Sequence, residues 1–463
     1  MEIIKITSGI PALVLSLFVS PSAFAGGFML QEQSQLEIGR AFSGAAASAD
    51  DPSTIFYNPA GMTELEGVQI STGATLLFID SKQQDLGSDI TSVTSGPFLT
   101  LTNVQPITGN NGGNPFKPVV PVPTTYISAH IGKSRLWLGL GISSPFGLKL
   151  DYAPDFFGRY DSLNSELLTI DVQPSIGYKL SDAVSIGGGL NVQYAEATLT
   201  NALPSSNLLT PADRLSELSG DDISLGWNAG VLVKLKSGTR FGLHYRSGIT
   251  HQLKGENKVS TTVSTPPGLV SSGSSSLPIR APLRLPDSIT ASLSLPLDAK
   301  TRFMATGRYY NWSRFKDISV YLTEPVTLVP GPVPIVLSPS SQPLAVKEFN
   351  YRDSWSLSAG IERALNDKLT VRAGAMFDRT PTNPNLLSTR VPDGDRTWTS
   401  MGLSYRISDR LTLSASYAHV FIAKQNMDRT DIVSGPSPLI TVTTRSRSSG
   451  NVDMIATSVT ARF

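Results

Sequence analysis

Apolar residues alternate with small or polar residues along much of the chain, and this period of two predicts β-strands. In "RLWLGLGI" every second residue from Leu136 to Ile142 is aliphatic. The alternation recurs in "DSITASLSL" (287–295), "SMGLSYRI" (400–407) and "RLTLSASY" (410–417). The opposite face carries mainly Ser, Thr and Gly rather than the Lys and Glu of a soluble β-sandwich, so the pattern favours a transmembrane barrel.

Short and long connections alternate between these strands. Tight turns are indicated at Lys133-Ser134, Ser181-Asp182, Ser237-Gly238, Leu297-Asp298, Asn366-Asp367 and Ser408-Asp409. The long segments are 83–123, 144–165, 201–221, 257–283, 325–350, 380–395 and 428–448. The pattern predicts about 14 antiparallel strands, an even number, with short connections and both termini on the periplasmic side.

Proline positions agree with this map. Nearly every proline after residue 25 falls in a long segment, at a turn or before the first strand. Proline cannot donate to a strand ladder, so its absence from the alternating stretches supports their assignment. Pro174 in "DVQPSIGYKL" is the exception, and we expect a bulge or a strand start there.

Composition narrows the class of protein. Hydrophobic residues make up 40% of the 463 residues and charged residues 16%, which excludes a helical membrane protein. A net charge of +1 gives no support for a nucleic-acid partner. Cysteine is absent, so disulfides and thiolate metal sites are excluded.

The first 25 residues are predicted to be a cleaved signal peptide. Lys5 gives a positive start, Ile10–Val19 is apolar but too short to span a bilayer, and Ala23-Phe24-Ala25 matches a cleavage site. The alternative is a retained membrane anchor. Export without a later apolar span leaves a soluble secreted protein or an outer-membrane barrel. In hydrocarbon a sheet must close on itself, because its backbone groups find no other partners.

The segment ahead of the first strand carries a specific resemblance. The stretch "GRAFSGAAASADDPSTIFYNPAGM" (39–62) resembles the N-terminal hatch of the FadL-type outer-membrane transporters of long-chain fatty acids and other hydrophobic compounds. The matching residues are Gly39-Arg40-Ala41, Ser43-Gly44, Asp50-Asp51 and Asn58-Pro59-Ala60. Further similar stretches are 145–160, 178–195, 285–297 and 392–421.

The resemblance covers essentially the whole mature chain. It implies an all-β fold, a transmembrane antiparallel barrel of about 14 strands at 66–463, with an N-terminal plug, or hatch, at 26–65 inside the lumen. Within the hatch, Arg40, Asp50 and Asp51 are expected to tie the plug to itself or to the wall. Asn58 is expected to bind local backbone, and Pro59 to keep the first strand from starting early.

The resemblance also implies two parts of a substrate route. The mature N-terminus, with Phe28, Met29 and Leu30, would lie in an internal ligand pocket; the alternative is that these residues only pack the plug. The third strand would kink inward and leave a gap in the wall. "SSPFG" suits such a break because proline removes a ladder bond and glycine relaxes the backbone, although the strand could simply end there. The residues of this kink are Ser144, Pro145, Phe146 and Gly147.

The implied function is passive uptake of hydrophobic compounds through the pocket, hatch movement and lateral release. No lysine or arginine is identified for a fatty-acid carboxylate, since Asn201 stands where we look for one, so neutral hydrocarbons stay open. Phe98, Leu99, Leu101 and Phe116 are candidates for an outer capture groove. The alternatives are a general diffusion porin and an outer-membrane hydrolase.

The expected partners follow from the function that the family resemblance implies. They are hydrophobic small molecules, outer-membrane lipids and the barrel assembly machinery, whose signal the terminal Phe463 on an alternating last strand resembles. The protein is expected to be a monomer in the outer membrane of a Gram-negative cell. No nucleic acid, metal or cofactor is expected, and no enzyme motif is found around the four histidines.

Overall fold

The computed structural model describes residues 26–116, 119–204, 213–264, 270–328, 335–434 and 439–463. The predicted signal peptide, residues 1–25, lies outside them. The helices of the described part are short: α1 (Gln35–Ile38), α2 (Thr54–Tyr57) and 3₁₀ turns at Pro59–Glu64, Trp312–Arg314 and Pro384–Leu386. In this part of the chain no helix has the length and apolar character needed to cross a membrane.

Strands make up most of the molecule. They are β1 (Val68–Asp85), β2 (Asp89–Ser95), β3 (Thr100–Pro106), β4 (Val120–His130), β5 (Leu136–Ser143), β6 (Gly147–Asp151), β7 (Asn164–Lys179), β8 (Val184–Leu203), β9 (Arg214–Lys234), β10 (Arg240–Arg246), β11 (Thr250–Ser264), β12 (Val270–Arg284), β13 (Ser288–Pro296), β14 (Thr301–Tyr310), β15 (Asp317–Leu322), β16 (Val326–Leu328), β17 (Ile335–Leu337), β18 (Ala345–Glu348), β19 (Ser354–Ala364), β20 (Leu369–Asp378), β21 (Arg396–Ser408), β22 (Leu411–Ser434) and β23 (Leu439–Arg462).

These strands form a closed antiparallel barrel with 14 strand positions around its wall, which confirms the predicted fold class. We call each position a stave, because some are filled by two consecutive strands. Several staves are broken into two pieces, namely β5 with β6, β10 with β11, β12 with β13, and β14 with β15. The barrel closes where β1 pairs with β23, from Gln69 opposite Arg462 to Asp85 opposite Ser446. Because every stave has two neighbours, closure satisfies most of the backbone without water.

The alternation of the strands matches the two faces of this wall. Outward residues are apolar, as Leu138 and Met401 show with 48% and 61% of their surface exposed in the isolated chain. Inward residues are small and polar, and Ser128 and Ser416 are buried against the contents of the lumen. The apolar outer face is the one that hydrocarbon covers in an outer-membrane barrel.

The tight turns lie where they were predicted, each between consecutive staves. Segment 380–395 is a loop as expected, whereas three of the long segments lie mostly in strands. Segment 257–283 is largely a hairpin in which β11 pairs with β12 from Thr250 opposite Arg284 onward, and 201–221 and 428–448 also lie mostly in strands. Their Thr and Val residues favour extended backbone, so the ladders continue into these segments.

The expectation for Pro174 was wrong. It lies inside β7 without a bulge, because the register to β8 is the same at Val172, opposite Val192, and at Ser175, opposite Gly189. Lys179 N donates to Arg135 O at 2.9 Å, so odd-numbered residues of β7 direct their N–H groups to β5. The missing N–H of Pro174 therefore faces β8, where the ladder skips two residues.

The segment before β1 fills the lumen as a plug. A Cβ atom on Gly187 of β8 would lie 2.4 Å from Ala60 N, and one on Gly242 of β10 would lie 1.9 Å from Ala46 O. Glycine at these wall positions is needed for the backbone of the plug to approach so closely. We divide this hatch into a leading segment, residues 26–33, and a hatch body, residues 34–65.

Candidate functional site

The hatch body is organised by local caps. Ser34 caps α1 by accepting from Glu37 N at 3.3 Å. Asn58 accepts from Ala60 N at 3.1 Å and donates through Nδ2 to Ala46 O and to Val231 O in the wall, at 2.7 and 3.0 Å. Asn58 thus joins the plug to itself and to β9, while Pro59 starts the 3₁₀ turn and Ala60 packs against Leu232.

A buried ion cluster fixes the hatch body to the wall. It joins three guanidinium groups and three carboxylates, those of Arg40, Arg302, Arg372, Glu37, Asp50 and Glu362. Arg40, which is fully buried, lies 2.8 Å from Asp50 and also pairs with Glu37. Burial alone would raise the pKa of Asp50, but the Arg302 and Arg40 guanidiniums hold it well below its usual range.

Asp51 does not join this cluster. Its carboxylate accepts from Ser53 N at 3.0 Å and Ser53 Oγ at 2.5 Å, and from Ser71 Oγ of β1 at 3.3 Å. Burial raises the pKa of Asp51. The adjacent aspartates therefore have different surroundings: Asp50 binds arginines, and Asp51 caps a turn and contacts the wall.

The leading segment pairs with the kink of the third stave. Leu30 N donates to Pro145 O at 2.8 Å, and Gly147 N donates to Phe28 O at 3.0 Å. Met29 and Phe146 therefore face each other in a short antiparallel bridge. The predicted pocket residues and the predicted kink residues, treated separately in the sequence, form one structural unit.

The kink leaves a break in the barrel wall. β5 ends at Ser143, and β6 starts at Gly147 and pairs with β7. Thr169 of β7 replaces the lost ladder bonds: its Oγ1 accepts from Phe146 N at 3.0 Å, and its carbonyl accepts from Ser144 Oγ at 2.5 Å. Among the strands of the described ranges, none pairs with Val120–Thr124 of β4 on the edge away from β1.

Phe28 occupies a cage of aromatic rings. Its ring centroid lies 4.8 Å from that of Trp312, 5.2 Å from Phe315, 6.2 Å from Phe146 and 6.4 Å from Tyr351. Edge-to-face pairs at these distances add to the hydrophobic gain of burial. The cage therefore holds the leading segment in the lumen through the side chain of Phe28.

A cavity adjoins this cage and is lined almost wholly by apolar side chains. It has about 740 Å³ of space between atoms, including the part open to solvent, and Phe28 and Leu148 form the wall next to the kink. Other apolar lining residues are Leu167, Leu253, Ile279, Phe349 and Val391. Of the predicted pocket residues only Phe28 lines it, since Met29 faces Phe146 and Leu30 is buried in the hatch core.

One cation at this cavity was missed in the sequence. Arg390 lines it and donates to Asn201 Oδ1 at 3.2 Å, to Ser165 Oγ at 3.0 Å and to Asn164 O at 3.2 Å. Asn201, where the sequence offers no cation, is a hydrogen-bond partner of this guanidinium, which comes from a position 189 residues further along the chain. Periodicity and spacing carry no signal for such a distant pairing.

Arg390 has neutral hydrogen-bond partners. The nearby carboxylates Asp161 and Asp431 are instead paired with Lys347, at 2.7 and 2.6 Å. Burial lowers the pKa of Arg390, and the charges of Asp161 and Asp431 oppose this shift only in part. An anion brought to the cavity would find a charged donor without an ion-pair partner among the described residues.

The proposed capture groove is not assembled as expected. Phe98 is fully exposed at the tip of the β2–β3 hairpin and Leu101 is 61% exposed, whereas Phe116 is buried in the main core. Within the described ranges no group of His, Asp and Glu has the arrangement needed to hold a metal ion.

Comparison with known proteins matches this chain to outer-membrane and transport proteins. A family model described as "Outer membrane protein transport protein (OMPP1/FadL/TodX)" matches residues 16–463. A long-chain fatty acid transport protein of Escherichia coli O6:H1 (strain CFT073) is 26% identical over 435 residues, which cover 87% of this chain and 88% of that protein. Outer membrane protein P1 of Haemophilus influenzae (strain KW20 / Rd) is 26% identical over 434 residues, with coverage of 87% and 88%.

Solved structures show the same fold. A FadL homologue of Pseudomonas aeruginosa superposes with a TM-score of 0.78 at 22% identity, over 94% of this chain and all of that one. The toluene transporter TbuX of Ralstonia pickettii superposes with a TM-score of 0.62 at 19% identity, over 95% of this chain and 99% of that one.

Proposed function

Because the chain belongs to the outer membrane transport protein family (OMPP1/FadL/TodX), we propose that it takes up long-chain fatty acids by passive diffusion. The family membership establishes an outer-membrane channel for hydrophobic compounds, and not an enzyme. The observation that carries the choice of fatty acids is Arg390, a buried guanidinium with neutral partners at the edge of an apolar cavity.

A fatty acid matches both the apolar lining of this cavity and the Arg390 guanidinium at its edge. Each methylene that enters the apolar space contributes about 0.8 kcal/mol, so an acyl chain supplies most of the affinity. Charge-assisted hydrogen bonds from guanidinium to carboxylate are roughly twice as strong as neutral ones. In our proposal Arg390 exchanges neutral partners such as Asn201 for the carboxylate of the ligand.

Aromatic hydrocarbons are the second candidate. The cage of Trp312, Phe315 and Tyr351 already accepts one aromatic ring, that of Phe28. A monoaromatic compound that displaced Phe28 would meet the same edge-to-face surroundings. Under this alternative Arg390 contributes nothing to binding.

We propose that release requires movement of the leading segment. An apolar pocket that binds well also holds its ligand, so a channel without an energy source needs a way to weaken the pocket. A ligand that displaces Phe28 also strains the bridge between Met29 and Phe146. The ligand would then leave sideways through the wall gap beside Ser144–Gly147.

The substrate class is tested by replacing the cation. We expect Arg390→Met to weaken oleate binding at least tenfold, as loss of a charged hydrogen bond worth about 1.5–3 kcal/mol implies, and to leave toluene binding unchanged. Arg390→Lys, which keeps the charge, should retain part of the oleate affinity. Equal losses for oleate and toluene, or no loss for oleate, would contradict the carboxylate assignment.

The lateral route is tested at the kink. Replacement of Pro145 and Gly147 together by valine favours a regular strand, and we expect oleate uptake to fall while the barrel still folds. Undiminished uptake by the folded variant would remove this route. Single-channel currents address the porin alternative, because a plugged transporter should conduct poorly and a general diffusion porin steadily.

Further parts of the proposal rest on the sequence. We propose that residues 1–25 are removed on export, and that Phe463, which directly follows β23, presents the chain to the barrel assembly machinery. We also propose that the channel works as a monomer surrounded by outer-membrane lipids, since the closed barrel contains its own lumen and cavity.

A further inference from the structure

β4 carries two prolines on the edge that borders the wall gap. His130 N donates to Gly67 O at 3.0 Å on the β1 side, whereas Ile131 N donates to Leu136 O at 3.0 Å on the β5 side. Residues of an antiparallel strand direct their N–H groups alternately to the two neighbours. The register of β4 with β1 is uninterrupted from Val120 to Ala129, so the odd-numbered residues all face β5 and the gap.

Pro121 and Pro123 are the odd-numbered residues of β4 beyond the last pair with β5, which joins Thr125 to Ile142. Proline has no N–H, and its place in a sheet is on an edge where no ladder bond is donated. From Val120 to Thr124, β4 therefore presents no N–H donor to the gap. Its ladder with β1 is intact, because the even-numbered residues serve it.

The residues on the other side of the gap, 144–146 after β5, are also prevented from pairing with β4. If the register of β4 with β5 continued, Ser144 would lie opposite Pro123 and Phe146 opposite Pro121. Ser144 N instead donates to Gln33 Oε1 at 3.1 Å, and Phe146 N donates to Thr169 Oγ1 at 3.0 Å. Closing the wall here would take four ladder bonds. Two of them lack a donor because Pro121 and Pro123 have no N–H, and the donors of the other two, Ser144 N and Phe146 N, are bound elsewhere.

We propose that Pro121 and Pro123 are positioning residues that keep the lateral gap open by depriving the free edge of β4 of N–H donors. This inference rests on the proposed lateral release. A gap lined by ordinary residues would leave N–H groups unpaired, which is unfavourable where hydrocarbon replaces water and favours closure. Proline removes both the unpaired donor and the bond that closure would form.

The test restores the missing donors with Pro121→Thr and Pro123→Thr, singly and together. Threonine favours strands and supplies an N–H. We expect the double variant to bind oleate as the wild type does but to take it up about tenfold more slowly, equivalent to about 1.4 kcal/mol. Each single variant should show part of this effect, and heat-modifiable migration on gels reports whether the barrels are folded.

Pro174→Thr is the matched control. It also restores a ladder donor to a wall proline, but toward β8 and away from the gap. We expect its uptake to equal that of the wild type. Unchanged uptake by folded single and double variants of Pro121 and Pro123 would overturn the inference, as would an equal slowing by Pro174→Thr.

The outcome separates this inference from the proposed function. If the valine variant of Pro145 and Gly147 keeps full uptake, the lateral route itself fails. If that variant loses uptake while the threonine variants of Pro121 and Pro123 do not, only the role of the two prolines fails. Loss of oleate binding together with uptake in the threonine variants would also overturn the inference, because the effect would then lie in the pocket.

Discussion

The leading segment and the hatch body occupy the same lumen but are bound to the wall by different forces. The hatch body is joined to it by arginine–carboxylate pairs, such as Arg302 with Asp50 at 2.8 Å. Residues 26–33 form no ion pair with the described part of the chain, and the leading segment is held by ring contacts of Phe28 and by single hydrogen bonds. Some of these bonds are neutral, such as Leu30 N to Pro145 O, and others reach a carboxylate, such as Gly27 N to Asp393 Oδ2 at 3.0 Å. Breaking a buried ion pair leaves uncompensated charge, whereas released backbone groups can find water or ligand.

This difference indicates which part of the plug is able to move. We expect residues 26–33 to leave their site at the cost of ring packing and single hydrogen bonds, because an incoming hydrophobic ligand replaces part of the ring packing. Movement of residues 34–65 would expose the ion cluster around Arg40 and open the lumen to ions. We therefore expect ligand-driven movement to be confined to the leading segment.

The largest effect is expected from disrupting the hatch body. Arg40→Met leaves Glu37 and Asp50 buried with fewer partners, at a cost of about 3–5 kcal/mol. The body should loosen, so single-channel conductance should rise and added protease should cleave the hatch.

The control for Arg40→Met is Lys82→Met. Lys82 forms an exposed pair with Asp80 at 3.5 Å, and such surface pairs contribute little. Conductance should therefore not change. If Arg40→Met changes neither the conductance nor the protease cleavage, the ion cluster does not hold the hatch body in place.

An intermediate effect is expected from fixing the leading segment. Met29 and Phe146 face each other between two hydrogen bonds, so their Cα atoms should lie about 4.5 Å apart, within the range of a disulfide. The chain has no other cysteine. Met29→Cys with Phe146→Cys should slow oleate uptake about tenfold when oxidised, equivalent to about 1.4 kcal/mol, and recover on reduction.

Each cysteine alone serves as the control for the disulfide, because neither can form the bond within one chain. If the oxidised double variant transports at the rate of its reduced form, the leading segment does not need to leave the kink. The proposed release mechanism would then be wrong, while the description of the static contacts would stand.

Much of the barrel could be predicted because its signals are local. The alternation in "RLWLGLGI" and turns such as Ser181-Asp182 fix strand faces and strand ends without knowledge of distant residues. The plug was predicted through its resemblance to a family. The bridge between Met29 and Phe146 and the position of Arg390 were not predicted, because both depend on residues brought together only by closure of the barrel.

The prolines of β4 show how a sound rule gave a wrong result. The sequence predicts a loop at 83–123, and the exclusion of proline from paired strands supports that prediction. Pro121 and Pro123 are nevertheless in a strand, since the kink of the neighbouring stave leaves β4 one free edge. The rule holds for each edge of a strand separately, and the sequence does not say which edges are free.

The smallest effect is expected from Glu32, in the leading segment. Its carboxylate is fully buried, and neither oxygen has a side-chain hydrogen-bond partner among the described residues. Burial raises the pKa of Glu32 from 4.5 to about 8. The seated segment therefore holds this proton more tightly than the released one, so seating is strongest below pH 4.5 and weakens as the pH rises to about 8.

Glu32→Gln should remove this dependence, because the amide is neutral throughout. A nitroxide on Met29→Cys, read by electron paramagnetic resonance from pH 5 to 9, should become more mobile with rising pH in the parent and not in Glu32→Gln. Asp378 and Asp393 also contact the segment, but both are paired with Arg396 and remain in the variant. Glu66→Gln, at an exposed position, should retain the parent's response. If Glu32→Gln retains it too, another group controls seating, and the leading segment is held by charge after all, as the hatch body is.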